Sequence, residues 1–355
     1  MKRIDIDPKT ARRWVAVVLA SLALGWLLSR WQVPAAWIVA GIVTAGASAL
    51  ASGEELPVNR TVYTFGAGIV GILAGLPLAG ESLPQLLGFV LPGLVVAAFT
   101  IGMGCMAGFV LAWAQPSIDR KTGILSMLAG GASFMPAIAK EIGADIRYVA
   151  LTQYLRLLAV ALSLPAVTGL IGTPSGGTPA SGGAVGQTWW MIVIVVAIAL
   201  VGGPLGSLVK LPAPSVLGPL LLAVTLSIAF PETLNLQPPE VLRALAFLSI
   251  GWLAGGALSM TALKNFVRQL PLTVLLIAAL IAACALLAVP IAAWVEINYF
   301  DAYLATSPGA IDVVLAISSE SGTDPAVVAI QVTRLILILI VAASLPRIIA
   351  LLSRP

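Results

Sequence analysis

Two glutamine and arginine pairs stand at one spacing in hydrophobic surroundings: Gln153 with Arg156, and Gln331 with Arg334, 178 positions later. Three residues apart on a helix, the members of each pair share a face and aim an amide and a guanidinium at one place. Arginine keeps its charge, and inside an apolar chain it needs a carboxylate, backbone carbonyls or a bound anion as partner. Ahead of each pair the apolar pattern is interrupted. The first break reads Ala129-Gly130-Gly131-Ala132-Ser133, and the second reads Ser307-Pro308-Gly309-Ala310, with Asp312 just beyond it. Where one short helix stops and another starts, free carbonyls favour a cation and free N–H groups favour an anion. Gly130, Gly131 and Gly309 permit the tight turn, while Ser133, Thr306 and Ser307 add hydroxyls able to ligate an ion. The candidate substrate- and ion-binding set is therefore Gly130, Gly131, Ser133, Gln153, Arg156, Thr306, Ser307, Gly309, Asp312, Gln331 and Arg334. Helix capping is an equally good account of the hydroxyls, and a clamp between helix and break accounts for the arginines.

Asp312 is the one carboxylate near a break, because the position 178 residues earlier is Phe134. A carboxylate so placed suits reversible proton binding, or the stabilisation of the first turn of the next helix. Its expected partner is Arg334, since each charge is costly to leave alone in hydrocarbon. No catalytic set is expected. The chain has no histidine and two separated cysteines, Cys105 and Cys284, so metal, cofactor and imidazole relay sites are not expected. Na+ or H+ is the expected bound ion.

These residues must be positioned by helices in a membrane. Of the 355 residues, 59% are hydrophobic and 10% charged, and the mean hydropathy is +1.05, too apolar to coat a soluble globule. The apolar runs have helical length and lack the alternation of a barrel strand. An all-α polytopic membrane protein follows. The net charge of +4 comes with no basic stripe, so nucleic acid is not an expected partner. The expected partners are the lipid bilayer and a small-molecule solute, with a homo-oligomer left open.

A basic N-terminal cluster precedes a first span that ends near Leu28, with the N-terminus cytoplasmic. Further spans are read at 34–50, 61–79, 87–114 and 147–170, and then at 188–209, 213–230, 240–259, 270–294 and 325–352, with interrupted segments at 118–144 and 299–322. Residues 172–187 carry neither charge nor apolar run and read as a flexible linker between repeat 1 (1–171) and repeat 2 (188–355). Gly71-Ile72-Leu73-Ala74-Gly75 and Gly251-Trp252-Leu253-Ala254-Gly255 sit at matched places in the two halves, a spacing that permits close helix approach.

Charge decides how the interrupted segments are read. If both cross, the chain has twelve spans with broken helices, and the relevant lysines and arginines divide six to six. If both turn back, it has about ten crossings and two re-entrant hairpins. Ten positive residues (Arg60, Arg120, Lys121, Lys140, Arg147, Lys210, Lys264, Arg268, Arg347, Arg354) then lie inside and two (Arg30, Arg243) outside, as the positive-inside rule favours. Five crossings per half invert the second repeat relative to the first. The expected location is a bacterial cytoplasmic (inner) membrane, with both termini cytoplasmic.

The doubled block Ala129-Gly130-Gly131-Ala132-Ser133 … Gln153-Tyr154-Leu155-Arg156 and Ser307-Pro308-Gly309-Ala310-Ile311-Asp312 … Gln331-Val332-Thr333-Arg334 resembles the signature of the AbrB membrane-protein family. The resemblance covers essentially the whole chain. It implies a duplicated membrane domain and a link to regulation of gene expression. An ammonia monooxygenase label also attaches to that family, but such chemistry needs a metal or flavin, and no ligand cluster or dinucleotide fingerprint stands in this sequence. The expectation is a non-enzymatic secondary transporter of a small anionic or zwitterionic solute, coupled to H+ or Na+. The alternative is a non-transporting membrane regulator or scaffold.

Overall fold

A computed structural model describes residues 8–31, 33, 35–129, 135–171, 189–231, 234–257, 260–309 and 311–352. Sixteen helices and no strand are found among them. The first eight are α1 (Pro8–Arg30), α2 (Ala36–Ser52), α3 (Arg60–Ala79), α4 (Leu83–Gly88), α5 (Val90–Ala114), α6 (Arg120–Met127), α7 (Met135–Ile142) and α8 (Ile146–Ile171). The last eight are α9 (Trp189–Leu208), α10 (Pro214–Ala229), α11 (Glu240–Gly256), α12 (Met260–Asn265), α13 (Leu270–Val295), α14 (Tyr299–Thr306), α15 (Ile311–Ser321) and α16 (Pro325–Leu352). In residues, the first eight are 23, 17, 20, 6, 25, 8, 8 and 26 long. The last eight are 20, 16, 17, 6, 26, 8, 11 and 28. The linker 172–187 and the break residues Gly130, Gly131 and Ser133 lie outside the described residues.

Five of the described helices are long and apolar enough to cross a membrane, and three shorter apolar helices accompany them. α8 carries Arg147 and Arg156, and α11 carries Glu240 and Arg243, so charge dilutes their hydropathy. The six-residue α4 and α12 were absent from the sequence reading, being too short to show a helical period. α4 starts at Ser82, whose backbone N–H reaches Gln85 Oε1 at 3.0 Å.

Small residues bring helix backbones into contact. A Cβ added at Gly75 would lie 2.8 Å from the Leu220 carbonyl, and one at Gly255 would lie 2.8 Å from Gly46 N. Both glycine pairs thus sit where another helix passes too close for a side chain. Each crossing joins the two halves of the chain: α3 packs on α10, and α11 packs on α2. The boundary near the linker therefore divides the sequence but not the packing.

Each interrupted segment folds back on its own start. Asp119 Oδ1 caps α6 by accepting from Thr122 N at 3.0 Å, and Thr122 Oγ1 accepts from Asp145 N at 2.9 Å. The beginning of α6 thereby meets the beginning of α8. In the second half Asn298 Oδ1 caps α14 through Asp301 N at 2.9 Å, and Asp301 Oδ2 accepts from Asp324 N at 3.2 Å. Asp145 and Asp324 then cap α8 and α16, accepting from Arg147 N at 2.9 Å and Ala326 N at 2.8 Å. With both ends of α6–α7 and of α14–α15 tied together, the breaks are carried to the far end of each helix pair.

Substitution at these crossings has a direct readout. Gly255→Ala should destabilise the detergent-purified protein by about 1–3 kcal/mol through overpacking, seen as a lower melting temperature. Gly102→Ala, on an open face of α5 with nothing near its Cβ, should not lower it.

Candidate functional site

A helix of eight residues leaves its last carbonyls without intrahelical donors, and both α6 and α14 end in the interior. The glutamine and arginine of the following long helix fill that gap. Gln153 Nε2 donates to the carbonyls of Leu125 and Leu128, each at 3.0 Å. Arg156 Nη1 donates to those of Met127 at 3.3 Å and Leu128 at 3.2 Å. Arg156 Nη2 donates to Gln153 Oε1 at 2.5 Å, which fixes the amide's orientation. In the second half Gln331 Nε2 donates to the carbonyls of Leu304 at 2.6 Å and Ala305 at 3.2 Å. Arg334 Nη1 donates to the Ser307 carbonyl, and Nη2 donates to that of Gly309 at 3.1 Å. The clamp reading of the arginines is thus present in both halves. Cationic donors at the negative end of a helix are also favoured by its dipole.

All four side chains are buried, with relative exposures of 2% for Gln153, 3% for Arg156, 0% for Gln331 and 3% for Arg334. The second clamp is less complete than the first. Gln331 Oε1 and Arg334 Nε are enclosed without a hydrogen-bond partner. The two guanidinium groups interact electrostatically with each other and with Cys284, so positive charge is concentrated where the two halves meet.

Asp312 departs from expectation. Among the described residues no ion pair joins it to Arg334, whose guanidinium bonds the carbonyls of Ser307 and Gly309. The Asp312 carboxylate accepts instead from the Tyr63 hydroxyl of α3 at 2.7 Å. From the first turn of α15 it ties that helix to α3. Thr306 and Ser307 commit their hydroxyl protons to the carbonyls of Cys284 and Leu304, both at 3.0 Å. Thr306 thereby ties α14 to α13 and Ser307 bonds back to its own helix, with oxygen lone pairs left over.

A cavity of about 760 Å³ opens beside the second break. Arg334, Asp312 and Gly309 line it together with Tyr63 and Thr64 of α3, Tyr154 of α8, and Ser215 of α10. Its rim includes Arg60 and Ser207, both exposed. Of the predicted residues, Arg334, Asp312 and Gly309 share this wall, whereas Gln153, Arg156, Thr306, Ser307 and Gln331 stand behind it as the support of the breaks. Sequence reasoning missed Tyr63 and Tyr154. Tyr154 lies inside the Gln153 to Arg156 block, where a phenol on an apolar helix was a usable signal; Tyr63 carried none, being 249 residues from its partner.

A family model described as transition state regulatory protein AbrB matches residues 37–350 of the chain. An Escherichia coli (strain K12) protein named as a candidate regulator, AbrB, is 31% identical over 346 residues, covering 95% of this chain and 97% of that protein. A Bacillus subtilis (strain 168) protein printed as uncharacterized protein YhjN is 25% identical over 344 residues, covering 91% and 89% of the two.

At the far end of α15 from the cavity, Glu320 has Oε2 enclosed without a partner, although the residue as a whole is partly exposed. Desolvation pushes its carboxyl up to about 8, opposed by Arg243 of α11 and the Ala36 N–H at the start of α2. The folded protein then holds this proton through a range where the unfolded chain, with its ordinary value of 4.5, has released it. Stability from this group is therefore present below pH 4.5 and declines as pH rises towards 8. Melting curves should show that decline in the wild type, and Glu320→Gln should flatten it between pH 5 and 8.

Proposed function

The chain belongs to the AbrB family, and within it we propose that this protein is a secondary transporter of a small anionic or zwitterionic solute. The observation that carries the reading is Arg334: a buried guanidinium on a cavity wall, with Nε unpartnered. Carbonyls take two of its five N–H donors, so donors remain for chemistry outside the fold's own hydrogen bonding. An oxyanion supplies the missing acceptor and part of the missing charge. The clamps also consume carbonyls that could have ligated a cation, which tilts each break towards an anion.

On this reading the returned pairs α6–α7 and α14–α15 are re-entrant hairpins, and ten long helices cross a bacterial cytoplasmic membrane with both termini inside. The matched helix lengths of the two halves and the tied hairpin ends support it, and five crossings per half make the repeats inverted. H+ or Na+ is the coupling ion, and no catalytic step is assigned. A non-transporting membrane regulator is the second reading, favoured by the regulatory wording of the family description and of the Escherichia coli relative.

Ligand-dependent thermal stabilisation separates the two, since a scaffold without a solute site gains nothing from added solute. A library of small carboxylates and amino acids should contain stabilising members. Arg334→Lys should weaken them at least tenfold, because an ammonium cannot reproduce the guanidinium's geometry. No stabilisation by any member would favour the regulator.

Topology has its own test. Single cysteines at Lys140, Ser181 and Lys264, in a background lacking Cys105 and Cys284, should react with an impermeant thiol reagent in intact cells at 181 alone. Labelling at 140 and 264 but not at 181 would mark a twelve-crossing chain instead.

A further inference from the structure

We infer that the transported solute carries an ammonium as well as an oxyanion: it is an amino carboxylic acid, bound with its carboxylate on Arg334 and its ammonium on Asp312. This rests on the transporter reading and narrows its substrate class.

A basic and an acidic side chain share one wall. Arg334 and Asp312 are 3% and 8% exposed, and both line the cavity of about 760 Å³. A buried charge is stable only when paired or richly hydrogen-bonded. The obvious solution, a salt bridge between them, is not formed among the described residues. Each is instead held in place by uncharged groups. Arg334 is fixed by the Ser307 and Gly309 carbonyls, and Asp312 by the Tyr63 hydroxyl. The fold thus orients both charges while leaving each without a counter-charge.

Donor and acceptor counting points the same way. Of the five N–H donors of the Arg334 guanidinium, two bond carbonyls, and Nε is enclosed without a partner. An ionised carboxylate offers about four lone-pair sites, and the Tyr63 hydroxyl takes one at Asp312. Acceptor sites therefore remain for an ammonium hydrogen. A plain anion would satisfy Arg334 but face the charge of Asp312, and a plain cation would satisfy Asp312 but face Arg334. A solute with both charges satisfies the two together, and neither half of it is repelled. The cavity volume falls within the range of small-molecule sites, roughly 300–1,000 Å³.

Matched pairs of probes test this on the purified full chain: amino acids of two to six carbons against the same carboxylic acids without the amino group, ranked by thermal stabilisation. The wild type should bind the amino member of at least one pair tenfold or more tightly than its des-amino partner. In Asp312→Asn that preference should collapse, with the des-amino acid binding at least as well as before, which also reports that the variant is folded. Asp312→Glu should keep part of the preference. Equal or tighter binding of the des-amino acids by the wild type would overturn the inference while leaving an anion carrier intact. An unchanged preference in Asp312→Asn would overturn it too, and would return the carboxylate to ion coupling. Stabilisation by no pair at all would overturn both this inference and the transporter reading.

Discussion

The contact on which the rest depends is a donor pair pressed onto the end of a broken helix. A chain that interrupts a helix in an apolar interior exposes carbonyls that neither lipid nor side chains of Leu, Ile and Val can satisfy. Gln153 with Arg156, and Gln331 with Arg334, supply those donors from the next helix. The same bonds hold the arginines, whose charge is costly to bury alone. Break and charge each need the other, so the two features occur together in each half of the chain.

That mutual need constrains geometry. The donors must arrive beside the break, so the short helix, the returning helix and the long helix must share one end, and the capped starts of α8 and α16 hold them there. An aspartate begins each long helix. The polar bonds at the near end and the clamps at the far end fix both termini of α6 and α14, which are too short to be stable helices by themselves. Around this frame the close crossings of α3 with α10 and α2 with α11 supply contact area without polar cost.

The two halves are alike in support but not in outlook. The first clamp closes on itself through Gln153 and Arg156, whereas the second leaves Gln331 Oε1 and Arg334 Nε without partners. Asp312 exists in the second half alone, and the cavity lies on its side. The framework thus holds one distinct face, with an acidic and a basic side chain arranged on it.

The helical, membrane-like character of the protein was legible in its composition and apolar runs, because in lipid a backbone is satisfied within helices or a closed barrel, and the alternation of barrel strands is lacking. The spacing of Gln153 and Arg156, repeated at Gln331 and Arg334, identified the clamp residues, since i and i+3 on a helix must share a face whatever surrounds them. The glycine pairs marked close crossings for the same local reason. What the sequence left open was which groups meet across the fold. It offered Arg334 as the partner of Asp312 by charge alone, and the tertiary structure sent Arg334 to carbonyls and Asp312 to Tyr63, 249 residues away. Only the packing of α3 against α15 could make that choice. It likewise decided which predicted residues face the cavity and which stand behind it, because side-chain spacing defines a face of one helix but not the neighbour that the face meets.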